Sequence, residues 1–172
     1  MKGLENYLAL YIISNAVAIL LLLAAWRVPK TARVLFFLLF VWASYTNYNY
    51  AIHHPNVYLD YADLSFIRVY KQFILGWFSQ HIVVMVGFIA TCQGLIAISM
   101  LLKGWIFKTG CIGAMIFLLA IAPLGVGAAF PCTVIMAAAL FILLKKYNHN
   151  FIWKRDKNLE VCSLKSPHFN RQ

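Results

Sequence analysis

The chain has 172 residues, 63% of them apolar or aromatic and 12% charged, with a mean hydropathy of +0.76. Soluble domains run at about 45–50% apolar and about 25% charged, so this composition excludes an ordinary water-soluble domain and a disordered chain alike. A formal charge of +10 fits either a nucleic-acid binder or a membrane protein with basic cytoplasmic segments, and the placement of the charges decides between them.

A hydrocarbon core about 30 Å thick needs roughly 20 apolar helical residues. The first candidate span is 6–26, uncharged between Glu5 and Arg27. It is longer than the apolar core of a cleaved signal peptide, and Lys2 and Glu5 leave little net charge before it while three basic residues follow, so it reads as a retained helix. A basic turn with Arg27, Pro29, Lys30 and Arg33 separates it from a second span over about 34–50. Residues 51–80 mix polar and aromatic side chains and form an outer loop. From Asp63 onward, Phe66, Tyr70, Phe73 and Trp77 recur at helical spacing, which predicts an amphipathic helix lying in the headgroup region ahead of the third span, 82–102. The 36 residues from Thr109 to Leu144 carry no charge. As one helix they would reach about 54 Å, too long for a bilayer. Pro123, Gly125, Gly127 and Pro131 mark the fold-back, giving spans over 104–122 and 128–144.

The expected fold is therefore all-α, a polytopic bundle of five transmembrane helices over 1–146 followed by a basic cytoplasmic tail, 147–172. With the 27–33 turn inside, twelve Lys and Arg fall on the inner side and three, Lys2, Arg68 and Lys71, on the outer. That asymmetry places the N terminus outside and the C terminus in the cytoplasm. Eight of the nine tyrosines collect near the outer boundary, where amphipathic rings are favoured. Topology thus accounts for the charge, and no nucleic-acid partner is expected; membrane lipids are. A bacterial inner membrane is the expected location.

Two amides stand out within the spans. Asn15 and Gln93 lie at similar depth, which suits an interhelical hydrogen bond or a polar contact for a ligand inside the bundle. Asn47, Tyr48 and Asn49, at the outer end of the second span, join them as candidate ligand-binding residues. His53, His54, Asp60, Asp63 and His81 are the candidate metal ligands, of types that suit zinc or iron. Against a site, adjacent histidines point apart and no H-x-x-x-H spacing is present. Asp60 and Asp63 are alternatively placed to pair with Arg68 or Lys71. Cys92, Cys111, Cys132 and Cys162 show no C-x-x-C spacing, so a redox relay lacks its motif; Cys92 and Cys111 read as packing residues, and only Cys132 falls near the oxidising outer face. No catalytic residue is singled out, no cofactor is named, and a non-enzymatic role is favoured.

The run Gln93-Gly94-Leu95-Ile96-Ala97-Ile98-Ser99-Met100-Leu101-Leu102-Lys103-Gly104 resembles the second-helix signature of DoxX-like membrane proteins, and the following hydrophobic hairpin is similar to that family's last two helices. The resemblance covers roughly residues 34–145 and implies a four-helix core to which the first span is added. Gln93 stands where the family usually has Glu. The resemblance implies a small accessory membrane subunit working through protein or lipid contacts, with a membrane protein partner or a homo-oligomer. Two other roles stay open: a carrier for a small apolar ligand, lipid or quinone, reaching Asn15 and Gln93, and a metal-dependent membrane enzyme using the outer His/Asp cluster.

Overall fold

Pro29 both ends one helix and begins the next. Proline has no N–H to donate, so it suits the first turn of a helix, where that donor has no partner. In the computed structural model, which describes residues 4–146, α1 (Leu4–Arg27) is separated from α2 (Pro29–His53) by Val28 alone, in a non-helical conformation. The second helix thus starts five residues before the expected span and includes Arg33.

Two short turns, Pro55–Leu59 and α3 (Tyr61–Leu64), follow. Then come α4 (Arg68–Phe73), a wide turn over Ile74–Phe78, and α5 (Ile82–Leu101). The single amphipathic helix expected from Asp63 is not formed. Ser65 and Ile67 are extended, because the Phe66 N–H donates across the fold to Pro123 O at 3.1 Å, and Gly76 leaves helical geometry farther on. Asp63 and Leu64 close the short α3, and helix resumes only at Arg68. Ile74 and Phe78 are its buried residues, while Phe73 and Trp77 face outward.

The fold-back lies where the breakers predict it. α6 (Trp105–Ile121) ends in a tight turn over Ala122–Ala128, and α7 (Cys132–Lys145) starts after Pro131. Gly125 has φ +64°, a conformation L side chains disfavour, and a Cβ there would meet Leu64 O at 2.7 Å. The absence of a side chain lets α3 lie against this turn.

Five helices close a ring, each packing on the next in the order α1, α2, α5, α6, α7 and back to α1. An odd ring of alternating helices must contain one parallel pair, and that pair is α1 with α7. Tyr11 OH donates to Phe130 O at one end, and Lys146 Nζ donates to Trp26 O at the other. The core between them is built of Ala18, Leu21, Phe36, Phe40, Phe107 and Leu140. A second cluster, Tyr58, Ala62, Ile74, Phe78 and Val86, lies under the 51–80 loop. Outward faces are studded with exposed Leu, Ile, Val and Trp, as expected of helices whose solvent is lipid.

Every element among the described residues is helical. Three segments, Leu8–Arg27, Ile82–Leu101 and Trp105–Ala128, are long and apolar enough to cross a membrane. The 25-residue α2 has length enough, but Lys30, Arg33 and a polar second half dilute its apolar run. The 14 residues of α7 reach about 21 Å at about 1.5 Å each, short of a core about 30 Å thick.

Candidate functional site

The α2–α5 seam carries a row of polar contacts. Ser44 Oγ donates to Ala90 O at 2.7 Å, Asn47 Nδ2 to Gln93 Oε1 at 2.8 Å, and Tyr48 OH pairs with Thr91 Oγ1. Residues 44, 47 and 48 share one face of α2 by their spacing of three and four, and 90, 91, 93 and 94 meet them on α5. Gly94 faces the same seam, where an added Cβ would make ordinary contact with Ser44 Oγ at 3.4 Å.

The row continues out of the bundle. Tyr58 OH donates to Asn47 Oδ1 at 3.0 Å, so a hydrogen-bonded line runs from the loop through Asn47 to Gln93. Tyr58 is buried. Desolvation pushes its phenol up to about 12, with Tyr61 and Tyr50 adding to the effect. The group remains a neutral donor throughout the physiological range.

Asn15 and Gln93 do not meet. Asn15 Nδ2 donates to Tyr11 O at 2.9 Å and to Ala129 O at 3.2 Å, fixing α1 against the start of α7. Gln93 belongs to the α2 seam instead. Equal depth in the membrane does not make two helices neighbours in the ring. Asn49 is exposed at the loop end of α2.

Gln93, 4% exposed, also lines a groove of about 660 Å³ between α5 and α6. Leu102 and Ile106 form one end of it, Gly110 and Gly113 part of its wall, and Cys92 and Phe117 the other end. Two glycines of α6 do different things there. A Cβ at Gly110 would run into the Ser99 side chain, so this glycine sets the α5–α6 distance, whereas a Cβ at Gly113 meets nothing within 4 Å.

The five candidate metal ligands stay apart. Among the described residues, no group of three or more His, Cys, Asp or Glu is placed to hold a metal ion. His53, His54, Asp60, Asp63 and His81 are all exposed, and three of them have other contacts. His54 lies 6.0 Å from the Tyr50 ring. His81 stacks on Trp77 at 4.4 Å, continuing a column that begins with Phe73. Asp63 accepts from Lys71 Nζ at 2.7 Å, one of the pairings the sequence allows. That hydrogen bond, with the lysine charge, holds the Asp63 carboxyl below the usual carboxylate range.

Arg33 is the residue the sequence reading passed over. Counted there with the basic turn, it is 5% exposed. Its Nε donates to Met100 O at 2.9 Å and its Nη2 to Leu102 O. Its guanidinium lies 4.2 Å over the Phe107 ring. The fork thereby ties α2 to two carbonyls at the end of α5. The available signal was its place within one turn of Pro29, where the new helix has already begun.

No family model, curated protein or solved structure matches the chain.

Proposed function

We propose that this chain is a five-span integral membrane protein of the bacterial inner membrane, with its N terminus outside and its tail in the cytoplasm. It works as an accessory subunit of DoxX-like type, through contacts made inside the bilayer. The open apolar groove between α5 and α6 carries this reading. It lies on the bundle's outer surface, where a neighbouring membrane protein or a lipid is the contacting phase, and Gly113 keeps its wall open. Spans two and five enter the count through the closed ring, since α2 and α7 complete the enclosure of the same core as the three long apolar helices. The basic residues at the α1–α2, α5–α6 and α7 ends support this orientation. The test is gentle extraction of the full chain from its own membrane, followed by native mass spectrometry. A stoichiometric membrane protein partner supports the accessory role, and a chain that emerges without one defeats it.

A second reading is favoured by Gln93. Its carbonyl oxygen is held by Asn47 while the residue lines the groove, a fixed amide beside an apolar channel. That arrangement suits a carrier for a small apolar molecule with one polar group, a lipid or a quinone. Retention of such a molecule in the same spectrum, weakened by Gln93→Leu without unfolding, supports the carrier. Unchanged retention in that variant removes it.

A further inference from the structure

The groove has a depth and a charged end, and together they define what fits it. Along α5 it runs from Leu102 to Cys92, ten residues or about 15 Å at about 1.5 Å per residue. That is half of a hydrocarbon core about 30 Å thick, the depth of one leaflet. Its deep end, at Gln93 and Phe117, thus falls at the bilayer centre, and its other end falls at the basic surface.

Leu102 joins the groove to that surface. Its side chain belongs to the lining, and its carbonyl accepts from Arg33 Nη2. A buried guanidinium therefore stands at the groove's end, and the next residue, Lys103, is exposed. Trp105, 81% exposed, follows at the same level, in the position interfacial tryptophans favour. Two cations and an interfacial ring thus adjoin Leu102 and Ile106, at the basic end of a mostly apolar groove one leaflet deep.

We propose that the α5–α6 groove is a seat for one anionic phospholipid of the basic-side leaflet. One acyl chain lies along Ile106, Gly110 and Gly113 toward Gln93, and the headgroup phosphate rests against Lys103 in the positive field of Arg33. This rests on the membrane-spanning reading above and names the lipid and its place. Charge selects the headgroup, because a zwitterionic lipid brings its own amine to the same cations. The open wall at Gly113 admits the chain.

The test uses the full chain reconstituted in vesicles of phosphatidylethanolamine with a minor fraction of phosphatidylglycerol, then released into mild detergent for native mass spectrometry. Phosphatidylglycerol should stay bound to the wild type, enriched by about fivefold over its share of the bilayer, the size expected of one cation near an anionic headgroup. Lys103→Glu should abolish the enrichment. Gly113→Leu fills open space, and should release both lipids while the helical circular dichroism is retained. Lipids retained only in their bilayer proportion, or enrichment surviving either variant, overturns the proposal. So does an efficient disulfide between two copies carrying Gly113→Cys, which would make a second chain the occupant. Protease protection in the same vesicles reports spanning separately, so loss of the lipid site and failure of the membrane reading are told apart.

Discussion

Arg33 lies over Phe107, its guanidinium carbon 4.2 Å from the ring centroid, and from there reaches the carbonyls of Met100 and Leu102. One side chain of α2 thus touches the end of α5 and the first turn of α6. Charge-assisted hydrogen bonds contribute about 1.5–3 kcal/mol each, and cation–π contact adds about 0.5–2 kcal/mol when desolvated. Such contributions are not additive, and Arg33→Ala should destabilise the bundle by at least about 3 kcal/mol, read as a lower dodecyl sulfate midpoint. Arg33→Lys should recover only part, because an ammonium cannot form the fork.

The seam between α2 and α5 should show coupling where the row of contacts is deepest. Asn47→Leu and Gln93→Leu are expected to interact by about 0.6–2 kcal/mol in a double-mutant cycle. Additive effects would mean that the Asn47–Gln93 bond contributes nothing to the seam.

Gly110 and Gly113 provide a matched pair, one turn apart on the same helix. Gly110→Ala forces Ser99 to move and should cost about 1–3 kcal/mol as overpacking. Gly113→Ala meets open space and should leave stability unchanged or raise it by up to about 1 kcal/mol, the helix propensity difference. Equal behaviour of the two variants would contradict the α5–α6 spacing.

Tyr58, in the loop between α2 and α5, should ionise later than an ordinary exposed tyrosine. Its folded value, raised to about 12 by burial, exceeds that of an exposed tyrosine, about 10. The stability linked to it is complete below about pH 10 and is lost as pH rises from there toward 12. Phenolate absorbance should show a late step that Tyr58→Phe removes, while the alkaline loss of stability diminishes with it.

Asp63 follows the opposite sign. Its carboxyl is depressed by Lys71, so its linked contribution is present above the ordinary carboxylate value and is lost as pH falls through the lower folded value. The pair is solvent-exposed and contributes little. The direct readout is the side-chain carboxyl resonance, whose midpoint should rise toward the ordinary carboxylate value in Lys71→Met.

Local rules made the breaks in this chain legible. Pro29, Pro123 and Pro131 act on their own backbone, so the turn after α1 and the hairpin between α6 and α7 follow from the residues themselves. Partnerships are less accessible, because they depend on the order of helices around the ring. Asn15 and Gln93 were recognisable as polar groups at one depth, yet the ring sends the first to α7 and the second to α2. The aromatic spacing of Phe66, Tyr70, Phe73 and Trp77 suggested one continuous helix, but a backbone bond to Pro123, nearly sixty residues away, extends its first turn instead. The histidines and aspartates of the loop were conspicuous by type, whereas Arg33 and Tyr58, which hold the helices together, resembled their neighbours in an interfacial belt.

The parallel contact between α1 and α7 joins the two helices that synthesis separates most. Tyr11 and Asn15 find their acceptors 119 and 114 residues later in the chain. While the intervening segments are translated, the Asn15 amide has no Ala129 carbonyl to meet, and the side of α1 destined for α7 remains against lipid or the insertion machinery. The ring therefore shuts only after the ribosome has delivered α7, and a nascent chain stalled before that point leaves an unfinished bundle in which Tyr11 and Asn15 lack their acceptors at Phe130 and Ala129.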